Sequence, residues 1–292
     1  MGEERPPVNA NYRSFFGMSR EAFPTDLSLK NILVTPDIAA IKQRFDYALR
    51  LGAIAIVTGE VGSGKSTALR YVVSKLHPSE YRIVWITACS GSILEFYRLL
   101  LAEMGIHMAG PQKAIMIRLI KKSVRQIVVE KKMKIVLVVD EASLMRLEVF
   151  AELHTITQFE QDSKPWLPII LAGRTNLIDK LMYQTSLPLA SRIVTRSHME
   201  PVNRQEMQEY LSHHICLTGI TTSVFEDPAI TAIHQGSGGI LRKANHLARG
   251  SLIAAADSQS RVVSADHVRL AATEIFMITQ YRAGKPGSDQ TK

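Results

Sequence analysis

Gly59-Glu60-Val61-Gly62-Ser63-Gly64-Lys65-Ser66, followed by Thr67, spaces three glycines, a lysine and a hydroxyl as a phosphate chain would need them. Glycine tolerates the positive φ that turns successive backbone N–H groups onto one anion. A helix starting at Lys65 adds its N-terminal dipole at the same point. In the pattern GxxxxGK[ST], the lysine reaches the β- and γ-phosphates and the hydroxyl takes a place on Mg²⁺. The expected ligand is ATP with magnesium, held by residues 59–67. The competing reading is a plain glycine-rich turn, and a strand before and helix after argue against it.

A second group is Ile135-Val136-Leu137-Val138-Val139 followed by Asp140 and Glu141. Five apolar residues deliver two carboxylates to the C-terminal edge of a sheet, where open α/β folds bind ligands. Asp140 is expected to hold the Mg²⁺ shell and Glu141 to orient and polarise the attacking water. Arginines form a third group. Arg192 precedes a strand-like run and Arg196 lies on it. Either guanidinium, supplied by a neighbouring subunit, would stabilise charge on a transferring phosphoryl group, or else make a surface ion pair. Arg242, opening a later helix, is a candidate for the γ-phosphate, with an ordinary helix-start arginine as the alternative.

These groups need a scaffold, and apolar periodicity supplies one. Strands are expected at residues 53–58, 82–87, 134–139, 167–172 and 192–199. Helices are expected at 65–76, 92–104, 114–129, 147–159 and 177–183. The alternation predicts an α/β fold with a mostly parallel central sheet sandwiched by helices. Beyond about Glu200 the pattern becomes all helical, over 203–217, 228–235, 241–258 and 264–279, with cap-like Asn203, Asp227 and Ser264. The expected division is an aromatic extension over 1–30, a nucleotide-binding domain over 31–200, a helical domain over 201–281 and a disordered tail over 282–292.

Composition sets the outer limits. With 46% hydrophobic and 21% charged residues, the 292-residue chain is ordinary for a globular protein. No run approaches the ~20 apolar residues of a membrane span, and the polar N-terminus lacks the apolar stretch of a signal peptide. Two cysteines without metal-ligand spacing fit a reducing compartment, so a cytoplasmic protein with no membrane partner is expected. The net charge of +8 permits a polyanionic partner.

Taken together, the motifs resemble AAA+ ATPases, in particular the branch of general secretion pathway A-type and TnsC-like transposition ATPases. The resemblance is carried by Phe15-Phe16-Gly17, Phe23-Pro24, residues 59–66, Asp140-Glu141-Ala142 and residues 150–159. It continues through residues 171–177, Leu189–Arg192 and residues 238–245, spanning about 12–280. It implies a P-loop AAA+ three-layer sandwich followed by a small all-helical lid domain. Arg192 then resembles an arginine finger, with Arg196 as second choice, and Arg242 a sensor-2 arginine. Sensor 1 falls at Arg174 or Thr175, although Gly173-Arg174-Thr175-Asn176 departs from the Gly-Gln-Pro-Glu common in secretion relatives. The aromatic N-terminal segment would pack near the nucleotide base, or Phe15 and Phe16 would be plain core. A finger acting between subunits implies a homo-oligomer, a ring or a helical filament.

The resemblance leaves the client open between duplex DNA in transposition, a secretion or cell-wall system, and a protein-directed switch. Secretion relatives usually continue into a membrane span and a peptidoglycan-binding region, which this sequence does not contain. The expectation is therefore a transposition regulator that assembles on double-stranded DNA with ATP and recruits a transposase, with or without a target-selection protein. Between Arg118 and Lys134 stand seven basic residues against Glu130. Lys121, Lys122 and Arg125, opposite an apolar face of Ile115, Leu119, Ile120, Val124 and Ile127, are the candidate DNA contacts, or else a solvated helix face. No base-reading motif is present, so any DNA binding is expected to be sequence-independent.

Overall fold

A computed structural model of the chain describes residues 12–108, 110 and 112–273. The expected tail over 282–292 and the end of the helix expected over 264–279 lie outside the described residues. Contacts divide the chain into two units. Val34–Glu200 form one, and the described residues of Met1–Leu33 and Pro201–Lys292 form the other. In chain order the elements are α1 (Tyr12–Phe16), α2 (Pro36–Leu51), β1 (Ile54–Gly59), α3 (Lys65–Val73), β2 (Tyr81–Thr87), α4 (Ile93–Glu103) and α5 (Lys113–Arg125). A π turn over Gln126–Glu130 extends α5. Then follow β3 (Lys134–Asp140), α6 (Leu147–Thr157), β4 (Ile169–Gly173), α7 (Leu177–Met182), α8 (Leu187–Ala190), β5 (Ile193–Met199), α9 (Arg204–Leu217), α10 (Asp227–Ser237) and α11 (Leu241–Asp257). Residues 265–273 are also helical.

In the sheet unit the five strands are all parallel, in the order β2-β3-β4-β1-β5. The three inner strands are apolar runs buried along almost their whole length, as strands covered on both faces must be. The edge strands β2 and β5 are only partly buried. Parallel pairing requires crossover connections, and the helices supply them. On one face Ile54, Ile56, Leu137, Val139 and Leu171 pack with Phe96 and Leu100 of α4, Met116 of α5, Phe150 of α6 and Leu177 of α7. Helices α2 and α3 lie against the sheet through β1, with α2 also on β5 and α3 on β4. α2 has no counterpart in the expected elements. Its start is fixed by Thr35, whose side chain accepts from the Ile38 N–H, with Pro36 in the first turn, and Gly52 ends it in the left-handed region.

The helical unit has its own core, in which Met207, Leu211 and Ile215 of α9 meet Ile230 and Ile233 of α10 and Leu247 and Leu252 of α11. Asn203 caps α9 in a reciprocal box with Glu206. Asp227 is not a cap: Glu226 holds that position, and Asp227 in the first turn pairs with Arg204. The N-terminal segment, set apart above as an extension, is part of this unit. Tyr12, Met18, Ala22 and Phe23 are buried in its core. The Arg249 guanidinium donates to the Phe23 carbonyl, and Arg261 donates to the Phe15 carbonyl with its guanidinium over the Phe15 ring. Phe16 packs against the core from its edge.

Candidate nucleotide site

The first residues to place are the three glycines at the end of β1. Gly62 and Gly64 have φ of 87° and 101°, in the left-handed region, so the loop can curl back without Cβ strain. At Gly59 the requirement is space. A Cβ there would lie 2.8 Å from the Met199 carbonyl oxygen and 2.9 Å from Ser63 Oγ. The loop thus seats directly on the end of β5, which pairs with β1 through Gly59 and Met199. Helix α3 begins at Lys65, and its first amides have no carbonyl one turn back to bond. Lys65 is buried and its ammonium donates to the Gly59 and Glu60 carbonyls at 2.9 and 2.8 Å. Ser63 is also buried, and its hydroxyl has no hydrogen-bond partner among the described residues. Ser66 is exposed and Thr67 half-buried. A loop that only closed a turn would have no use for a buried lysine and an unpaired buried hydroxyl together. The residues fit an anion.

β3 brings the carboxylates to the same edge. Asp140 ends that strand buried, and its Oδ1 accepts from the Glu141 N–H at 2.9 Å. Glu141 then leaves the strand with φ 53° and ψ 31°, a left-handed conformation. For a residue with a Cβ this costs on the order of 1–2 kcal/mol, and strain of this kind collects where function demands a side-chain position. A 3-10 turn over Ala142–Leu144 follows, held by Lys180 of α7, whose ammonium donates to the Ser143 and Met145 carbonyls.

β4 lies between β1 and β3 and ends level with them. Thr58 pairs with Gly173, and Val139 with Leu171. Gly173 touches the turn after Glu141 so closely that a Cβ would fall 2.9 Å from the Ser143 N. The Arg174 N–H donates to Ser143 Oγ at 3.3 Å. The sheet therefore gathers the ends of the glycine loop strand, the carboxylate strand and the Arg174 strand along one edge. The Arg174 and Thr175 side chains are exposed, and it is the backbone of Arg174 that engages the carboxylate turn. Ser143 and Lys180 carry no signal in the sequence. No motif marks them, since their part is to brace a turn.

Arg192 lies at the opposite, N-terminal end of β5, just before Ile193, which pairs with Ile54 at the start of β1. Its guanidinium forms an ion pair with Asp162 at 2.5 Å. The hydrogen bond from Arg192, and then its charge, hold the Asp162 carboxyl below the usual carboxylate range. Burial, followed by the same Arg192 charge, depresses His154. Arg192 also borders a shallow cavity of about 280 Å³ lined by Leu51, Gly52, Thr157, Pro165 and Val194, among others. Arg196 is exposed in the middle of β5. Arg242 is exposed in the first turn of α11, in the helical unit.

On α5 the buried residues are Met116, Ile120 and Val124, with Ile127 continuing the stripe, while Ile115 and Leu119 are only partly buried. The face is thus rotated from the one expected, because Met116 fills the core. Lys121 consequently turns toward the protein: its ammonium donates to the Gln158 carbonyl at 3.0 Å and lies 5.9 Å from the Phe159 ring. Lys122 and Arg125 are exposed. No helix among the described residues is long and apolar enough to cross a membrane.

Comparison with known proteins agrees with this geometry. Residues 50–181 match the family model described as AAA domain. The chain is 29% identical over 270 residues to General secretion pathway protein A of Aeromonas hydrophila, covering 90% of this chain and 48% of that protein. It therefore spans about half the length of that curated relative. In fold it is similar to Cdc6p from Pyrobaculum aerophilum, with a TM-score of 0.68 at 16% identity over 94% of this chain and 74% of that one. It is equally similar to a chain in the structure of Drosophila ORC bound to DNA, with a TM-score of 0.68 at 15% identity over 97% and 71%. The architecture is the P-loop AAA+ fold, a five-stranded parallel sheet between helices with a C-terminal helical region, and the comparisons support an AAA+ ATPase.

Proposed function

We propose that this AAA+ chain binds ATP with magnesium on residues 59–67, hydrolyses it with Asp140 and Glu141, and uses the cycle to assemble on and leave double-stranded DNA as a regulator of transposition. The observation that carries the ATPase reading is the shared sheet edge, where the glycine loop at the end of β1 and the buried Asp140 and strained Glu141 at the end of β3 flank the end of β4. Ser66 and Asp140 would hold the magnesium ion, which neutralises charge on the phosphate oxygens. Lys65 exchanges its two carbonyl partners for phosphate oxygens, and the Ser63 hydroxyl gains an acceptor there. Glu141 orients the water that attacks the γ-phosphoryl group. Arg174 or Thr175 senses that group, and Arg242 is the sensor-2 arginine that the resemblance implies. Arg192, at the far end of β5 from its own glycine loop, serves the neighbouring subunit's nucleotide, with Arg196 as the alternative finger.

The DNA-directed part is supported by the net charge of +8, by exposed Lys122 and Arg125, and by fold similarity to a protein bound to DNA. The transposase partner, with or without a target-selection protein, rests on the resemblance to transposition ATPases. A second reading, an ATPase of a secretion system, is favoured by the identity with General secretion pathway protein A. Negative-stain imaging with long duplex DNA of arbitrary sequence, with and without a non-hydrolysable ATP analogue, separates them. Nucleotide-dependent rings or filaments on DNA are expected. Assemblies that form with nucleotide but ignore DNA, even at low salt, would transfer the proposal to the secretion or protein-directed reading.

A further inference from the structure

The loop that supplies the partner of Arg192 is an unusual piece of backbone. Glu160, Gln161 and Asp162 all have positive φ, at 47°, 55° and 67°, and none is glycine. Left-handed backbone in an L-residue is ordinarily confined to single positions, so three in succession persist only where the surroundings over-determine them. Both ends of the loop are clamped. On one side Phe159 is buried against Trp166, with ring centroids 5.4 Å apart, and its carbonyl accepts from the Lys164 N–H. The Glu160 carbonyl takes two further bonds, from the Ser163 N–H and the Ser163 hydroxyl. On the other side Pro165 packs on Gly52, where any Cβ would lie 2.1 Å from the Pro165 carbonyl oxygen. Gly52 ends α2 directly before β1, so the loop is fastened to the start of the strand that carries the glycine loop.

We propose that this clamped turn exists to hold Asp162 as a positioning residue for Arg192, fixing the guanidinium at the N-terminal edge of β5 so that it meets a neighbouring subunit's nucleotide already oriented. The proposal rests on the reading of Arg192 as the finger that acts between subunits. An unpaired arginine samples many rotamers, and ordering it on assembly would cost part of the binding energy. Asp162 removes that cost beforehand by engaging one Nη2 and leaving the remaining donors of the guanidinium fork. Both partners retain solvent contact, which keeps the pair weak enough to be shared when a phosphate approaches.

The test is a set of variants assayed as the assembled full-length protein. Asparagine tolerates the left-handed region as aspartate does, so Asp162→Asn removes the charge and leaves the turn. Asp162→Asn is expected to lower kcat about fivefold, the scale of an exposed charge pair, with KM for ATP unchanged. Arg192→Ala is expected to lower kcat by a factor on the order of 10³. In the Arg192→Ala background, Asp162→Asn should have no further effect, because Asp162 acts only through that guanidinium. A loss that persists undiminished in that background would show that Asp162 merely supports the fold, and would overturn the proposal. Arg192→Ala slow with Asp162→Asn at the wild-type rate overturns the positioning role alone. An Arg192→Ala protein that assembles and turns over normally removes the finger reading and this proposal with it.

Discussion

Glu141 offers a direct test of whether backbone strain is maintained for catalysis. Its φ of 53° and ψ of 31° place a residue with a Cβ where glycine is at ease. Relieving that conformation returns about 1–2 kcal/mol, and glycine gives back ~0.5–1 kcal/mol through the greater freedom of its unfolded chain. The net gain from Glu141→Gly is therefore about 0.5–1 kcal/mol. For a unit the size of Val34–Glu200, 1 kcal/mol corresponds to roughly 2–4 °C in Tm. Glu141→Gln is the necessary control, because it deletes the carboxylate and keeps the Cβ. Both variants should bind ATP and lose turnover. Only the glycine variant should melt higher, by about 2 °C over the glutamine one, in nucleotide-free thermal denaturation. A glycine variant that melts with or below the glutamine variant would refute the strain. Residual wild-type turnover in either would remove Glu141 from the chemistry.

Gly59→Ala should push the loop off β5, since the new methyl meets the Met199 oxygen and Ser63 Oγ below 3 Å; ATP affinity is expected to fall at least about tenfold, and unchanged binding of a fluorescent ATP analogue would contradict the seating. His214 is buried beside Phe23 and Tyr210, and burial lowers it to about 4. Because the unfolded chain takes up the proton first, near 6.5, its contribution is complete above that pH and is lost as pH falls through about 4. Urea unfolding should show about 2 kcal/mol lost between pH 7.5 and 5, and His214→Phe should flatten that dependence; a wild-type profile flat over this range would count against the burial. Neutralising Lys122 and Arg125 together should reduce the slope of log K for DNA against log salt by about 2, whereas Lys121→Gln should leave the slope alone and lower stability by up to about 1 kcal/mol. The reverse pattern would mean that Lys121 faces the DNA.

The strands and the glycine loop that form the sheet edge are legible in the sequence because each is local. Residues 59–67 and 135–141 each carry their message within one turn or one strand, and the apolar runs that deliver them are continuous. What escaped depends on contacts distant in sequence. Nothing in the spacing of Asp162 joins it to Arg192, 30 positions away. Nothing in the charge pattern of α5 reveals that Lys121 reaches the end of α6, because that follows from Met116, and not Ile115, filling the core. α2 is a different case. Thr35-Pro36 at its start, Ile38, Ile41, Phe45 and Leu49 at helical spacing, and Gly52 at its end were readable signals, weakened by exposed Tyr47 and Leu51 that blur the apolar stripe.

The helical unit draws its core from both sides of the sheet unit in the chain, with Tyr12, Met18, Ala22 and Phe23 packing against residues beyond Pro201. On a ribosome these four residues emerge ahead of the sheet unit and meet the rest of their core only after the whole of Val34–Glu200 has followed them. At about 5–20 residues per second, that delay lasts on the order of ten seconds or more. The sheet unit, whose buried core runs from Ile54 to Leu189, can close in the meantime. Biosynthesis thus imposes an order of assembly, sheet unit first and helical unit last. It leaves the apolar residues Tyr12, Met18, Ala22 and Phe23 uncovered until the second half arrives to pack on them.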